Sequence, residues 1–203
     1  MKTVISALAL AACVAMPNVA AAQGNKAPKQ PICHVTDTGG LRLINIDGNA
    51  LPAHLAHGDQ TPYLQPMQLP PGTTVSASSV WFGAPGYDRL PQYAFDGDDT
   101  TEWNAGDGPV QYIEVDFGQP LKFNLMTGLV DQVPAGAANH DITFDGDPAF
   151  SWTGSFYQGQ LLSESFAAMQ TAQTVRITTT SSPSWVAWVD ILFYDGTVVC
   201  PAQ

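Results

Sequence analysis

The sequence contains very little positive charge. Only seven of its 203 residues are Lys or Arg, against 18 Asp or Glu, so the formal net charge is −11. Charged residues make up 12% of the chain, whereas about 25% is usual in soluble proteins. Proteins that bind nucleic acids neutralise phosphates with clustered Lys and Arg, so nucleic acid is excluded as a partner. The shortage of charge also argues against a coiled coil.

Long hydrophobic runs are also missing. A helix that crosses a membrane needs about 18 or more apolar residues, and the run Thr3–Met16 is shorter. It follows Lys2 and precedes Ala20-Ala21-Ala22, the pattern of a secretory signal peptide over residues 1–22. We therefore expect a secreted protein, periplasmic or extracellular, without a membrane span. The alternative is a lipobox at Leu10–Cys13, which would make Cys13 a lipidated N-terminus.

Cysteine is scarce. Removing residues 1–22 leaves Cys33 and Cys200, one near each end of the chain. An isolated pair in an oxidising compartment usually forms a disulfide, and we expect that here. The alternative is that Cys33 is a thiolate metal ligand beside His34.

Turn-forming and aromatic residues are plentiful, with 18 Gly, 16 Pro and 10% aromatics. Apolar and polar residues alternate in Gln111–Phe117 and Thr174–Thr180, while Val186–Tyr194 is almost continuously apolar, as in a central strand. Further strands are predicted at Val75–Trp81, Asn124–Val133 and His140–Phe144, with turns at 117–120, 134–136 and 145–148. Only Leu161–Ala172 has helical character, and it is weak. This pattern predicts an all-β sandwich or jelly roll.

The mature chain divides into segments of different composition. We predict a flexible leader at 23–30, a Cys/His motif segment at 31–59, a Pro-rich linker at 60–71, the β-sandwich at 72–196 and a tail at 197–203 that carries Cys200. A domain of about 125 residues is of ordinary size.

One stretch carries a family resemblance. Residues 94–104, Ala-Phe-Asp-Gly-Asp-Asp-Thr-Thr-Glu-Trp-Asn, fit the pattern A-x-D-G-x-x-x-T-x-W, and three later pieces follow in order at 116–118, 175–177 and 184–191. The set resembles discoidin domains, the coagulation factor 5/8 C-type, galactose-binding-like family. The resemblance implies an eight-stranded jelly-roll β-sandwich, here with a small N-terminal segment appended. It also implies a module that binds glycans, lipid head groups or proteins and is not itself catalytic.

The matching stretch is acidic, since five of the 18 acids lie in 96–107. Their mutual repulsion would be relieved by a hard cation such as Ca²⁺, which takes 6–8 oxygen ligands. By resemblance the ligands are Asp96, Asp98, Thr101 and Asp190, with backbone carbonyls near Tyr93. Asp190 stands where the family usually has Glu, so its reach is shorter. The alternative is a solvated acidic turn with Asp190 at a strand edge.

Ligand contacts are predicted at aromatic and polar residues in loops, because sugar sites combine aromatic platforms with a few polar groups. The candidates are Trp81, Tyr87, Arg89, His140, Trp152 and Trp185. We expect Trp103 and Trp188 to be core residues. Trp185, which follows Ser-Pro-Ser, is the better surface candidate.

A second motif precedes the sandwich. Cys33-His34 and the later run Ala53-His54-Leu55-Ala56-His57-Gly58-Asp59 resemble a segment of bacterial secreted proteins to which we attach no role. Asn49 is placed to cap a short helix that ends at Gly58, with His54 and His57 on one face. With His34 or Asp59 these histidines could hold a transition metal; alternatively, they hydrogen-bond backbone at the sandwich.

The combined prediction is a secreted module that binds a carbohydrate or other cell-surface ligand, contains a structural calcium ion and is not an enzyme. The patterns G-x-S-x-G, H-E-x-x-H and G-x-x-x-x-G-K-[ST] are absent from the sequence. Two alternatives stay open: a structural or adhesive extracellular protein that binds no sugar, and a metal-dependent enzyme that uses His34, His54 and His57. Self-association also stays open.

Overall fold

The computed structural model describes residues 27–83 and 89–202. The predicted signal peptide, the lipobox at Cys13 and the candidate ligand contact Tyr87 lie outside these residues. Within the described residues eleven strands are present: β1 (Lys29–Val35), β2 (Leu41–Asp47), β3 (Tyr63–Leu64), β4 (Thr74–Ala77), β5 (Trp103–Asn104), β6 (Gln111–Val130), β7 (Gly136–Phe144), β8 (Asp147–Phe156), β9 (Leu161–Ser181), β10 (Ala187–Tyr194) and β11 (Val198–Val199).

Helix is confined to short pieces of the described chain. The α-helix α1 (Leu51–Ala56) follows a 3-10 turn at Gly48–Ala50, and a second 3-10 helix spans Pro91–Phe95. Asp47 rather than Asn49 caps the first turn, because its side chain accepts the Asn49 backbone N–H. None of the helices among the described residues is long and apolar enough to cross a membrane.

The principal sheet is antiparallel and has the strand order β5-β10-β6-β9-β7-β8, with β4 also paired to β6. The long strands β6 and β9 hold it together. The first half of β6 pairs with β4 and with the second half of β9, and the second half of β6 pairs with β10 and with the first half of β9. Register shifts after Asp116 and Phe123 mark where the pairing of β6 changes. The expectation of an all-β jelly roll is therefore confirmed.

Two local predictions were wrong. The segment 117–120 does not separate two strands: Gly118, at a φ of +71°, lies within β6, so the turn residues bend one continuous strand. Leu161–Ala172 is not helical but the first part of β9, because it pairs with Leu121–Leu129 of β6. β6 runs through two of the expected strands, and the principal sheet has seven strands over the described residues.

The core is one cluster of buried side chains, most of them from the strands of the principal sheet. Trp103 and Trp188 are fully buried, as expected. Phe117, Phe123 and Phe193 form edge-to-face pairs with centroids 5.1–5.2 Å apart, a geometry that adds about 0.5–1.5 kcal/mol per pair beyond area burial. These inward-facing residues occupy every second position of their strands. Apolar and polar residues therefore alternate in the sequence of these strands.

The two ends of the described chain meet. The hairpin β1–β2 is joined to the tail by the predicted disulfide between Cys33 and Cys200, whose Cα atoms are 5.5 Å apart. β3 pairs with β11, so residues of the predicted Pro-rich linker are tied to the tail as well. β1 already begins at Lys29, so the predicted flexible leader is strand over its last two residues.

Candidate functional site

An open cleft of about 340 Å³ lies at the loop end of the sheet. Its lining consists of Trp81, Glu102, Asn104, Gly106, Asp131 and Trp185, and we call it the tryptophan cleft. Trp81 and Trp185 are each 44% exposed. These two candidates from the sequence come together in one cavity although they are about a hundred positions apart.

Short backbone contacts position the two indoles. The Trp81 N–H donates to the Asn104 carbonyl at 2.8 Å. On the other side, the Val186 N–H, next to Trp185, donates to the Asp107 carbonyl at 3.0 Å. Both tryptophan loops are thus attached to the same short segment, which fixes the width of the cleft. Gly106 allows this approach, since it has a φ of +72° and a Cβ added there would lie 3.0 Å from the Trp81 Cβ.

The cleft is lined by two carboxyl groups. Burial, together with the adjacent Asp131 carboxylate, raises the pKa of Glu102 to about 7, against smaller opposing effects of Arg89 and Asn104. Arg89 Nε lies 3.3 Å from Glu102 Oε1 but lacks the alignment of a hydrogen bond, so its contribution is charge attraction. Gln158 donates to Asp131 at 2.8 Å. Arg89, a predicted ligand contact, therefore forms an ion pair with Glu102 of the cleft.

His140 and Trp152, which the sequence analysis names as candidate ligand contacts, are both buried. The His140 ring packs 4.8 Å from Trp188 and stacks on Phe156, and its Nδ1 is 2.8 Å from Thr179 Oγ1. Burial lowers the pKa of His140 to about 4. Trp152 packs between Phe150 and Trp188. Both side chains belong to the core beneath the cleft, because their strand positions face inward.

The predicted calcium ligands converge only in part. Thr101 Oγ1 lies 2.9–3.1 Å from three possible acceptors of its hydroxyl hydrogen, the two Asp96 carboxylate oxygens and the Asp98 main-chain carbonyl oxygen. The Asp98 carboxylate accepts from Thr100 instead. At Asp190, Oδ1 is buried without a hydrogen-bond partner.

The charge at Asp190 is unfavourable without a cation. Burial raises the pKa of Asp190 to about 6, against hydrogen bonds from the Gly97 and Ile191 N–H groups, and the charges of Asp96 and Asp99 raise it further. An orphaned carboxylate oxygen within reach of the charges of Asp96 and Asp99 fits the oxygen ligands that Ca²⁺ prefers.

The comparison with protein-family models decides the family. The model for the F5/8 type C domain matches residues 74–191, more than half of the chain. The chain belongs to the F5/8 type C family. The resemblance read from residues 94–104 is thereby confirmed. No curated protein matches the chain.

Solved structures of family 32 carbohydrate-binding modules are similar to this chain. A family 32 carbohydrate-binding module from a family 31 glycoside hydrolase of Clostridium perfringens has 16% identity and a TM-score of 0.51, over 62% of this chain and 96% of that one. The carbohydrate-binding module of AlyQ, in complex with 4,5-unsaturated mannuronic acid, has 27% identity and a TM-score of 0.48, over 60% and 93%. The module of C. perfringens NanJ, in complex with galactose, has 18% identity and a TM-score of 0.46, over 60% and 93%.

A histidine cluster lies outside the part matched by the F5/8 type C model. His34 of β1 and His54 of α1 both point Nδ1 at Oδ2 of Asp59, at 2.9 and 2.6 Å. His57 is not part of this cluster, because it is the exposed residue that ends α1. The predicted pair of His54 and His57 is thus replaced by His34, His54 and Asp59. The alternative of histidines bonded to backbone is not what the structure shows for His34 and His54.

Sequence reasoning missed several residues of the tryptophan cleft. Asn104, Gly106 and Asp131 were not singled out, and Glu102 was counted only as one of five clustered acids. Glu102 and Asn104 flank the Trp103 of the family motif, which was the available signal. Asp131 follows β6, and nothing in its neighbourhood in the sequence connects it with Glu102.

Proposed function

We propose that the chain is a secreted module that binds a carbohydrate in the tryptophan cleft and performs no catalysis of its own. The observation that carries the proposal is the pair of half-exposed indoles that line one cavity with two carboxyl groups and an amide. Apolar walls with a few directed polar groups are typical of small-ligand sites. The signal peptide predicted from the sequence and the Cys33–Cys200 disulfide support an oxidising, extracytoplasmic location.

The chemistry of the cleft favours neutral or amino sugars. Glu102 and Asp131 accept hydrogen bonds from sugar hydroxyl or ammonium groups, and the Asn104 amide, whose oxygen already accepts the Gly106 N–H, adds a donor. A uronic acid would bring a third carboxylate next to these two acids, and like charges at short range repel. We therefore expect acidic glycans to bind poorly.

The same two acids argue against glycoside hydrolysis. Glu102 and Asp131 are close enough for a hydrogen bond between them to raise the Glu102 pKa. The carboxyl pairs of glycoside hydrolases are about 5 Å or more apart, which leaves room for the sugar. The cleft thus supports binding rather than hydrolysis.

We also propose a structural calcium ion held by Asp96, Thr101 and Asp190, with main-chain carbonyls of Tyr93 and Asp98. Thr101 Oγ1 already contacts both of these carbonyls and the Asp96 carboxylate. When bound, the ion supplies the positive charge that compensates the acids of this loop. The Asp98 carboxylate, which bonds Thr100, is left out of the proposed ligand set.

The carbohydrate proposal is tested on a glycan array with the calcium-loaded protein. We expect binding to neutral or amino glycans, and a 10- to 100-fold weaker affinity for Trp185→Ala, since a lost aromatic anchor costs about 1–3 kcal/mol. Tyr63→Ala is the matched control, because Tyr63 is also exposed but lies on β3, away from the cleft. Folded protein that binds no glycan would overturn the proposal and favour a structural or adhesive role.

A further inference from the structure

The histidine cluster of the N-terminal segment is not accounted for by carbohydrate binding. His34, His54 and Asp59 come from β1, from α1 and from the loop after α1. Their candidate ligand atoms all lie within 4.8 Å of one another. Two imidazole nitrogens aimed at the same carboxylate oxygen form a set of two nitrogens and one oxygen, which suits zinc and related divalent transition metals.

We propose that His34 Nδ1, His54 Nδ1 and Asp59 Oδ2 form a binding site for a divalent transition-metal ion, with zinc as the ion that fits best. This site is independent of the tryptophan cleft and of the acidic loop around Asp96. It uses histidine nitrogens, which Ca²⁺ does not favour, so the two proposed ions do not compete for the same ligands.

The carboxylate of the site is fixed before any ion binds. The Asp59 side chain is 1% exposed, and its Oδ1 accepts the Val35 N–H at 2.9 Å. The Asp59 N–H donates to the His54 carbonyl, and the next residue, Gln60, bonds Cys33 in both directions. A hydrogen bond on the non-ligating oxygen is the outer-shell support that metal carboxylates commonly have. The hydrogen bonds from His34 and Val35 also hold the pKa of Asp59 well below its usual range.

The two imidazoles lie at the surface side of the cluster. The side chain of His34 is 45% exposed and that of His54 is 26% exposed, while the carboxylate of Asp59 is buried. Ligand atoms about 2.0–2.1 Å from a tetrahedral zinc ion are roughly 3.3 Å apart. The present contacts of 2.9 and 2.6 Å would therefore lengthen by about 0.4 and 0.7 Å on zinc binding, which two partly exposed rings can provide by small rotations.

Metal binding would fasten three pieces of the segment to one another. The Cys33–Cys200 disulfide anchors β1 to the tail, but α1 has no buried residue to hold it in place. An ion shared by His34, His54 and Asp59 would attach α1 to β1 directly. The ion would thus hold a short helix in place where no hydrophobic core does so.

The test is metal titration of the chain without a histidine tag, after removal of metals and in saturating calcium, so that the acidic loop is occupied. We expect one equivalent of Zn²⁺ by calorimetry, and one equivalent of Co²⁺ with the visible absorption of a tetrahedral site. His54→Ala should weaken binding more than 100-fold, since even outer-shell losses cost 10–100-fold. Asp59→Asn, which keeps an acceptor for Val35, should do the same.

His57→Ala is the matched control. His57 lies three positions from His54 at the end of the same helix but outside the cluster, so its variant should bind both ions with the affinity of the wild type. Absence of a saturable single site would overturn the proposal. So would a His54→Ala variant that binds within a few fold of the wild type, or equal losses in the His54 and His57 variants. Circular dichroism of each variant shows that the fold is retained.

Discussion

At the scale of single residues, Glu102 is a group whose ionisation the fold opposes. Burial and Asp131 raise its pKa from 4.5 to about 7. Between these values the folded chain holds a proton that the unfolded chain has lost, so the free energy of unfolding should fall as pH rises from about 4.5 to 7. The Glu102 carboxyl group of the tryptophan cleft therefore lowers the stability of the fold when it is ionised.

Replacing Glu102 should remove this pH dependence. We expect Glu102→Gln to be more stable than the wild type at pH 8, by on the order of 1 kcal/mol, and about equal at pH 5, because one pKa unit corresponds to 1.36 kcal/mol before solvent screening. Urea unfolding at both pH values measures it. Asp190, with a pKa of about 6, also makes the free energy of unfolding fall as pH rises. Because it does so in both proteins, the difference between variant and wild type reports on Glu102. Glu164→Gln on β9 is the control, and a pH-independent difference for Glu102→Gln would contradict the prediction.

Gly128 is a position at which the packed core leaves no room for a larger side chain. A Cβ there would lie 2.7 Å from Trp188 Cζ3 and 3.1 Å from Trp152 Cζ3. Because both rings are buried and packed on each other, neither can retreat, and Gly128→Ala should lose about 1–3 kcal/mol of stability by overpacking.

Gly154→Ala is the control for that change. Gly154 also lies in a strand, but an added Cβ would meet Phe156 at 3.4 Å, an ordinary contact distance. Thermal unfolding of the two variants should therefore differ clearly. Equal stability of both would show that the tryptophan pair can adapt.

The residues of the site differ in how well the sequence predicts them. Trp103, Trp188 and Trp185 were placed correctly because a motif or a preceding turn marks their environment. The burial of His140 and Trp152 does not follow from the sequence, because the alternation of a strand does not tell which of its two faces is covered. Asp131 cannot be predicted from the sequence, since its place in the cleft depends on Glu102, which is 29 positions away in the sequence.

At the scale of elements, pairing between strands decides the structure of segments whose local sequence also suits a helix or a turn. Leu161–Ala172 is rich in residues that tolerate helix, yet it becomes strand because β6 offers a partner along its length. Gly118 and Pro120 resemble a turn, yet they sit within β6 where the pairing with β9 shifts register. By contrast, the turn expected at 145–148 forms at Asp145 and Gly146, which both adopt the positive φ that a two-residue hairpin needs, while Asp147 and Pro148 already belong to β8.

The proposed calcium ion would join two elements, the loop after the second 3-10 helix and strand β10. We expect added Ca²⁺ to raise the free energy of unfolding by about 2.7 kcal/mol at a hundred times the dissociation constant. Asp190→Asn should abolish most of this gain and should stabilise the calcium-free protein at neutral pH, because it removes a buried charge. Thermal unfolding with calcium or with chelator measures both effects.

Asp37→Asn is the control for the calcium prediction, since it removes one exposed acid in the turn between β1 and β2. Its response to calcium should equal that of the wild type. A wild-type protein that is equally stable with calcium and with chelator would contradict the proposed site.

At the scale of the whole molecule, the sequence predicted the family and the all-β architecture from one motif and the strand patterns. It did not predict how the N-terminal segment packs. The hairpin β1–β2, the pairing of β3 with β11 and the His34–Asp59–His54 cluster all depend on contacts between distant positions. The cysteine count was informative because two cysteines in an oxidising compartment leave one intramolecular pairing.

The Cys33–Cys200 disulfide is the covalent link between the two ends of the described chain. Cys33 and Cys200 are 167 positions apart, so the bond restricts almost the entire unfolded chain, and the chain-entropy model assigns about 3–5 kcal/mol to such a loop. We expect Cys33→Ser/Cys200→Ser to lose stability of this order in urea unfolding. The lost bond should also expose the segment 27–60 to proteases before the sandwich, because β1 and β2 contribute no residue to the main core cluster. Simultaneous cleavage throughout the chain, or a loss below about 1 kcal/mol, would mean that the pairing of β3 with β11 and the contacts of the segment close the molecule without the bond.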